Sequence, residues 1–327
     1  MRSWISLASI AGALLVLALL PAAPSPLAWI AVLLALVQGA FFARGINPVV
    51  PEEMVFPPTR TEALLAEGLG PHRFFSDVGV LPPDTGLVRG LRGIEGYDAM
   101  DVATFNQYRQ YALPPGVNPL LAWNPRGVDL DHPVFRLFGV GMLALRDPLD
   151  HPRWELVASP GSEEPAETWI YRATDPLPRA FCVSNVVSLD ELGDLVRTDV
   201  RSWNPLELAS VDTAWRPQQP FREASVGVPE WTNNTVKVDV ALDGDGLLVL
   251  TDQNFPGWKV FVDGEETELL TADMIFRGVP LGAGTHEVEF RYRPTSIVFG
   301  GVLSGLSAVG ILLLVFLAFR ERARYSG

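Results

Sequence analysis

The sequence predicts a membrane-anchored α+β protein, with an N-terminal helical hairpin, a β-rich extracytoplasmic domain that ends in an antiparallel β-sandwich, and one C-terminal transmembrane helix. Three observations carry that expectation. Apolar runs without a charged residue occupy both ends, at residues 4–20, 27–43 and 297–319. The middle is polar, rich in proline and acidic, and holds nearly all the acidic residues behind a net charge of −13. Its last part alternates apolar and polar residues between Asp-Gly turns and passes into the third apolar run without a linker. The mean hydropathy of +0.20 averages over these two populations.

A spanning helix needs roughly 20 apolar residues, within a range of about 17–25. The run at 297–319 meets this easily, and the first two are at the short end. Met1-Arg2, the first run and Pro21-Ala-Ala-Pro24 together resemble a signal peptide. A second run follows only six residues later, so a hairpin turning at 21–26 accounts for both. Domain boundaries follow: two transmembrane helices at 1–45, a mixed α+β region at 46–230, a sandwich module at 231–295, and a transmembrane helix with a cytoplasmic tail at 296–327. Arg320, Arg322 and Arg324 come directly after the last run, and positive charge favours the cytoplasmic side. The large domain is then outside, the C-terminus inside, and Met1 outside. That last placement suits the tail of a longer protein.

The elements of the middle follow from punctuation and period. Prolines at 48, 51, 57 and 58 keep that segment extended. A short helix is expected at 61–67, stopped by Gly68, and a strand at 72–78. Residues 81–86 read as a turn and 90–98 as a loop punctuated by glycine. A helix capped by Asp101 is expected at 101–111, and another short one at 132–138. Strands are expected at 140–146, 154–159, 168–173 and 179–184. Ser188-Leu-Asp-Glu191 is a capping box that opens a helix to about residue 197. From 236 to 293 the pattern is that of a small antiparallel sandwich. Val236, Val238, Val240 and Leu242 share one face, and Asp243-Gly-Asp-Gly246 and Asp263-Gly264 are hairpin turns.

Candidate chemistry is sparse. An acidic domain argues against nucleic-acid or anionic-lipid binding through bulk charge, and no nucleic-acid partner is expected. The four histidines, His72, His132, His151 and His286, show no metal-ligand spacing, and no nucleotide or hydrolase motif is present. No metal and no cofactor is expected. Cys182, the only cysteine, sits in an apolar strand-like run and reads as a buried hydrophobe. Asp243 and Asp245 read as turn residues before calcium ligands. Glu95 and Asp98 flank Gly96-Tyr97 in a loop. Two carboxylates beside an aromatic suit acid–base chemistry on a sugar, set against a structural loop. Trp258, with Phe255 and Phe261, could form a sugar platform. Its alternation with Val260 and Val262 favours a core role. Gly301-Val-Leu-Ser-Gly305 is a small-residue motif for helix packing in the last run.

A series of segments carries a family resemblance. It starts with Asn47-Pro48, Val55-Phe-Pro-Pro58, Leu81-Pro-Pro-Asp84 and Gly90-Leu-Arg-Gly-Ile-Glu-Gly-Tyr-Asp98. It continues with Leu177-Pro-Arg-Ala-Phe181, Phe255-Pro-Gly-Trp-Lys-Val-Phe-Val-Asp-Gly264, Phe276-Arg-Gly-Val-Pro-Leu281 and Glu289-Phe-Arg-Tyr-Arg-Pro294. In this order, from about residue 41 onward, they resemble the C-terminal portion of the YfhO family of bacterial membrane proteins. The chain departs from the family at 140–145, where a more polar strand is usual. The resemblance implies a GT-C-like glycosyltransferase that moves sugars from a polyprenyl-phosphate donor to cell-surface polymers. Its catalytic carboxylate lies in an N-terminal loop that no residue here matches. The expected role is the C-terminal part of such a protein, silent in transfer on its own, with a membrane protein supplying the missing helices. The alternatives are a membrane-anchored carbohydrate-binding or scaffolding module, and an enzyme working through Glu95 and Asp98, whose nearest arginines are Arg89 and Arg92. Expected partners are the lipid bilayer and a polyprenyl-phosphate sugar or cell-surface glycan.

Overall fold

Helix α1 (Arg60–Gly68) starts where Thr59 and Glu62 close a capping box, each side chain accepting the other's backbone amide. The computed structural model describes residues 33–35, 37–39, 51, 57–77, 79–81, 85–94, 102–114, 116–118, 123–161 and 167–325. The chain divides into two units, residues 1–58 and 59–327. In the first, 33–35 and 37–39 are helical, and the rest of the expected hairpin lies outside the described residues.

In the second unit, α1 packs on a four-stranded sheet ordered β1-β2-β4-β3, built from β1 (Arg73–Ser76), β2 (Val140–Leu145), β3 (Trp154–Ala158) and β4 (Trp169–Ala173). Strand β1 runs parallel to β2, and the other pairs are antiparallel. All six residues of β2 are buried, as suits a central strand covered on both faces. One face meets Leu64, Leu65 and Leu69 of α1 and its flank. The other enters an aromatic core of Phe75, Tyr108, Trp123, Phe135 and Phe138.

Short helices border this core: α2 (Thr85–Arg89), α3 (Ala103–Tyr111) and α4 (Pro133–Arg136). The turn expected at 81–86 therefore gives way to helix from Thr85. Helix α3 starts after Val102, which offers no side-chain cap, and Asp101, expected to cap it, lies outside the described residues. Helix α4 is a single turn, shorter than the sequence suggests. His132 caps it, its ring nitrogen accepting the Val134 amide at 3.2 Å.

Two further sheets face each other. One is six-stranded, ordered β5-β10-β14-β13-β7-β6, from β5 (Ala180–Val183), β6 (Asn185–Ser188), β7 (Leu208–Val211), β10 (Gly246–Gln253), β13 (Leu270–Ala272) and β14 (Phe276–Leu281). The other is five-stranded, ordered β12-β11-β15-β9-β8, from β8 (Ala224–Trp231), β9 (Thr235–Leu242), β11 (Trp258–Val262), β12 (Glu265–Thr267) and β15 (Gly284–Tyr292). Between them Val236, Val238, Val240 and Leu242 meet Cys182, Leu248, Leu250 and Val279. Helix α5 (Leu189–Asp199), opened by the expected Ser188–Glu191 capping box, links parallel β6 and β7. Strand β10 joins the two cores, with Leu248 and Leu250 in the sandwich and Leu247 and Val249 in the aromatic core.

After β15 the chain enters α6 (Thr295–Tyr325), 31 residues long. Its first 20 residues, Thr295–Leu314, have a mean hydropathy of 2.3 and are long and apolar enough to cross a membrane. Apolar side chains are exposed on all sides of that stretch, the pattern of a helix made for lipid.

A cleft beside the apolar helix

The sandwich ends in a cleft of about 450 Å³. Asp252 and Gln253, at the end of β10, are half-buried in its wall, with Trp258 of β11 and the exposed Phe255 at its rim. Ile94 and Phe105 line it as well. These two flank the acidic loop, whose candidates Glu95, Tyr97 and Asp98 lie outside the described residues. Arg89 is paired with Glu62 at 3.5 Å, and Arg92 donates to the Gly70 carbonyl at 3.2 Å.

Three arginines converge on one carboxylate, and two of them, Arg73 and Arg277, line the cleft with it. Arg73 and Arg179 both donate to Asp252 Oδ1, Arg179 at 2.8 Å, and Arg277 is 3.9 Å from Oδ2. Arg73 also donates to the Phe138 carbonyl at 2.6 Å and the Thr251 carbonyl at 2.7 Å. It thereby ties the four-stranded sheet to β10. Burial alone would raise the Asp252 carboxyl, but the three guanidinium groups outweigh it and hold the acid below its usual range. Burial and the neighbouring Arg73 push Arg179 down to about 9. Burial brings Arg277 to about 10, with Asp252 opposing. All three remain charged at neutral pH, so the cluster carries a net charge of +2 around an ionised, fixed acceptor.

Trp258 has two roles in this geometry. It packs against the edge of the sandwich core, whose centre on this strand is the fully buried Val260. Its ring also covers Arg277, whose guanidinium carbon is 3.5 Å from the ring centroid, a cation–π contact. Trp231 covers Arg179 in the same way at 3.3 Å. Gly257 has φ +107°, and an added Cβ would lie 3.0 Å from Pro294 and Tyr292. The Arg293 amide donates to the Gly257 carbonyl at 2.7 Å. The cleft rim is therefore fastened to the two residues that precede α6.

The remaining candidates are placed apart. Asp243 Oδ1 accepts the Arg222 and Glu223 amides at 2.7 and 3.0 Å. Asp245 Oδ2 accepts those of Gln218 and Gln219 at 3.0 and 2.9 Å. Both act as turn residues, and among the described residues no group of three or more potential ligands could hold a metal ion. Cys182 is buried, and burial pushes its thiol up to about 12, which keeps it neutral. Gly301 and Gly305 lie exposed on α6 with nothing within 4 Å of an added Cβ.

Sequence reasoning missed Arg73, Arg179, Asp252 and Arg277. Arg73 and Asp252 are 179 positions apart, and no local spacing reveals such a pair. The available signal was a charge set in or beside an apolar strand, as in Leu247-Leu-Val-Leu-Thr-Asp252. Three of the segments that carry the family resemblance, 177–181, 255–264 and 276–281, meet at this cluster through Arg179, Trp258 and Arg277.

Residues 217–304 match the family model described as bacterial membrane protein YfhO. The match takes in β8 to β15 and the first turns of α6, and with them Asp252, Trp258 and Arg277. The resemblance read from the sequence therefore holds over this stretch. No curated protein and no solved structure matches the chain.

Proposed function

We propose that the chain acts as the membrane-anchored, extracytoplasmic part of a YfhO-like protein that glycosylates cell-surface polymers from polyprenyl-phosphate sugars, and that its cleft holds a glycan. The YfhO match running from the sandwich into the apolar helix supports the membrane setting. The cleft supports the glycan. The exposed Phe255 offers a flat apolar face to sugar C–H groups, and Trp258, whose ring covers Arg277, stands beside it at the rim. Ionised Asp252 accepts from hydroxyls, and the Gln253 amide both donates and accepts. Such a mix of a few polar groups on an aromatic wall is usual for small-molecule sites.

On this reading the described cleft serves to position the glycan. Sugar transfer from a lipid phosphate needs a donor cavity between spans, which the one spanning-length helix among the described residues does not form alone. On this reading further helices complete the machinery. The test compares the sugar content of cell-surface polymers in cells that carry the intact gene, a deletion, or Phe255→Ala. Loss of sugar on deletion, with a partial loss in the variant, is expected. Unchanged sugar content on deletion would refute the reading.

A further inference from the structure

A second cavity, of about 180 Å³, lies between α3, α5 and the turn from β13 to β14. Tyr108, Tyr111, Leu189, Val196, Trp203 and Met274 give it an apolar and aromatic lining, and Asp273 belongs to the same wall. Asp273 is fully buried. Its Oδ1 accepts the Ser210 amide at 2.7 Å and the Ser210 hydroxyl at 3.3 Å, which holds the carboxyl in one orientation. Its Oδ2 is buried with no hydrogen-bond partner among the described residues. A buried polar atom left unpaired is costly and rare in native proteins. The turn that presents it is strained as well. Asp273 and Met274 have φ +44° and +72°, a conformation usually left to glycine or asparagine.

The surrounding charge points to one kind of ligand. No described lysine or arginine offsets the Asp273 charge, and the groups acting on it are burial and Ser210. Asp190 adds a second acid at the exposed rim. Arg197, also at the rim, is engaged by the Gly193 carbonyl at 3.1 Å and by Asp194 at 3.7 Å. What the cavity lacks is a positive hydrogen-bond donor, and its walls are of the kind that face cations well.

We propose that this cavity binds a small organic ammonium ion, an apolar body with one primary amine whose N–H donates to Asp273 Oδ2. The size of the cavity, below the roughly 300 Å³ of ordinary ligand pockets, limits the body to about one ring. Burial pushes the empty-site carboxyl up to about 7, and a bound ammonium would restore its charge. The inference is independent of the glycan reading of the other cleft.

The test is calorimetric titration of the full chain in nanodiscs with benzylammonium, and with benzyl alcohol as its neutral counterpart. One saturable site for the amine is expected, with the alcohol at least about tenfold weaker, since charge-assisted hydrogen bonds are the strong ones. Asp273→Asn should bring the amine down to the level of the alcohol. Gly193→Leu blocks the mouth without touching Asp273, because an added Cβ meets only the flexible end of Arg197, and it should weaken both ligands. Equal binding of amine and alcohol by the wild type, or undiminished amine binding by Asp273→Asn, overturns the proposal. If Asp273→Asn does not fold, unchanged amine affinity in Gly193→Leu overturns it.

Discussion

At the scale of single residues, the most consequential side chain is Asp252, the acidic centre of an otherwise cationic cluster. Asp252→Asn would leave three buried guanidinium groups facing one another. Breaking a buried ion pair from one side typically costs about 3–5 kcal/mol. Urea denaturation of the full chain in detergent should show a loss of that order, and a loss under 1 kcal/mol would mean the cluster is held by other contacts. Asp273 gives a prediction in pH. Its carboxyl is raised in the fold from 3.8 to about 7, so the folded state takes up its proton more readily than the unfolded one. Stability from this group is present below about pH 4 and lost as pH rises to about 7. At about 1.4 kcal/mol per unit, the loss amounts to about 4 kcal/mol. Asp273→Asn removes that slope, and parallel pH profiles for wild type and variant would contradict the assignment. Residues at this scale were the least legible in the sequence. Turn aspartates and Cys182 could be read from their neighbours, whereas Asp252 and Asp273 acquire their character from partners tens to hundreds of positions away.

At the scale of elements, period and punctuation were legible. The alternation of Val236, Val238, Val240 and Leu242 is the burial pattern of β9, and the Ser188–Glu191 box does open α5. Helix starts without a side-chain cap, as at Val102, could not be found by looking for one. Pairing was not legible either. Strands β5, β6 and β7 come from residues 180–211 but complete a sandwich sheet whose other strands lie after residue 245. Only long-range register decides that. Strand β10 shows the consequence, since burial on both faces makes its side chains sensitive. Leu248→Ala should destabilise by about 2–5 kcal/mol. Glu266→Ala, on the exposed edge strand β12 where it meets Lys259 at 2.7 Å, should cost under about 1 kcal/mol. Equal costs for the two in chemical denaturation would refute the placement of β10 at the junction of the cores.

At the scale of the whole molecule, the arrangement that matters is the short path from cleft to α6. Gly257, held by the Arg293 amide, keeps the Phe255–Trp258 rim beside the start of a helix suited to lipid. The three arginines after residue 319 favour the cytoplasmic side for its end, so the proposed topology has the sandwich outside. In intact cells, and in a Cys182→Ala background, Asp263→Cys should react with an impermeant maleimide while Ser326→Cys should not. The reverse pattern would invert the topology. The most direct test of the central claim is a binding titration of isolated cell-surface glycan against the full chain in nanodiscs, with Phe255→Ala in parallel. Phe255 is exposed at the rim, so its truncation leaves the core intact. Saturable binding is expected that weakens about tenfold or more in the variant, a loss of about 1.4 kcal/mol. Binding of equal strength in both proteins, or none in the wild type, would contradict it.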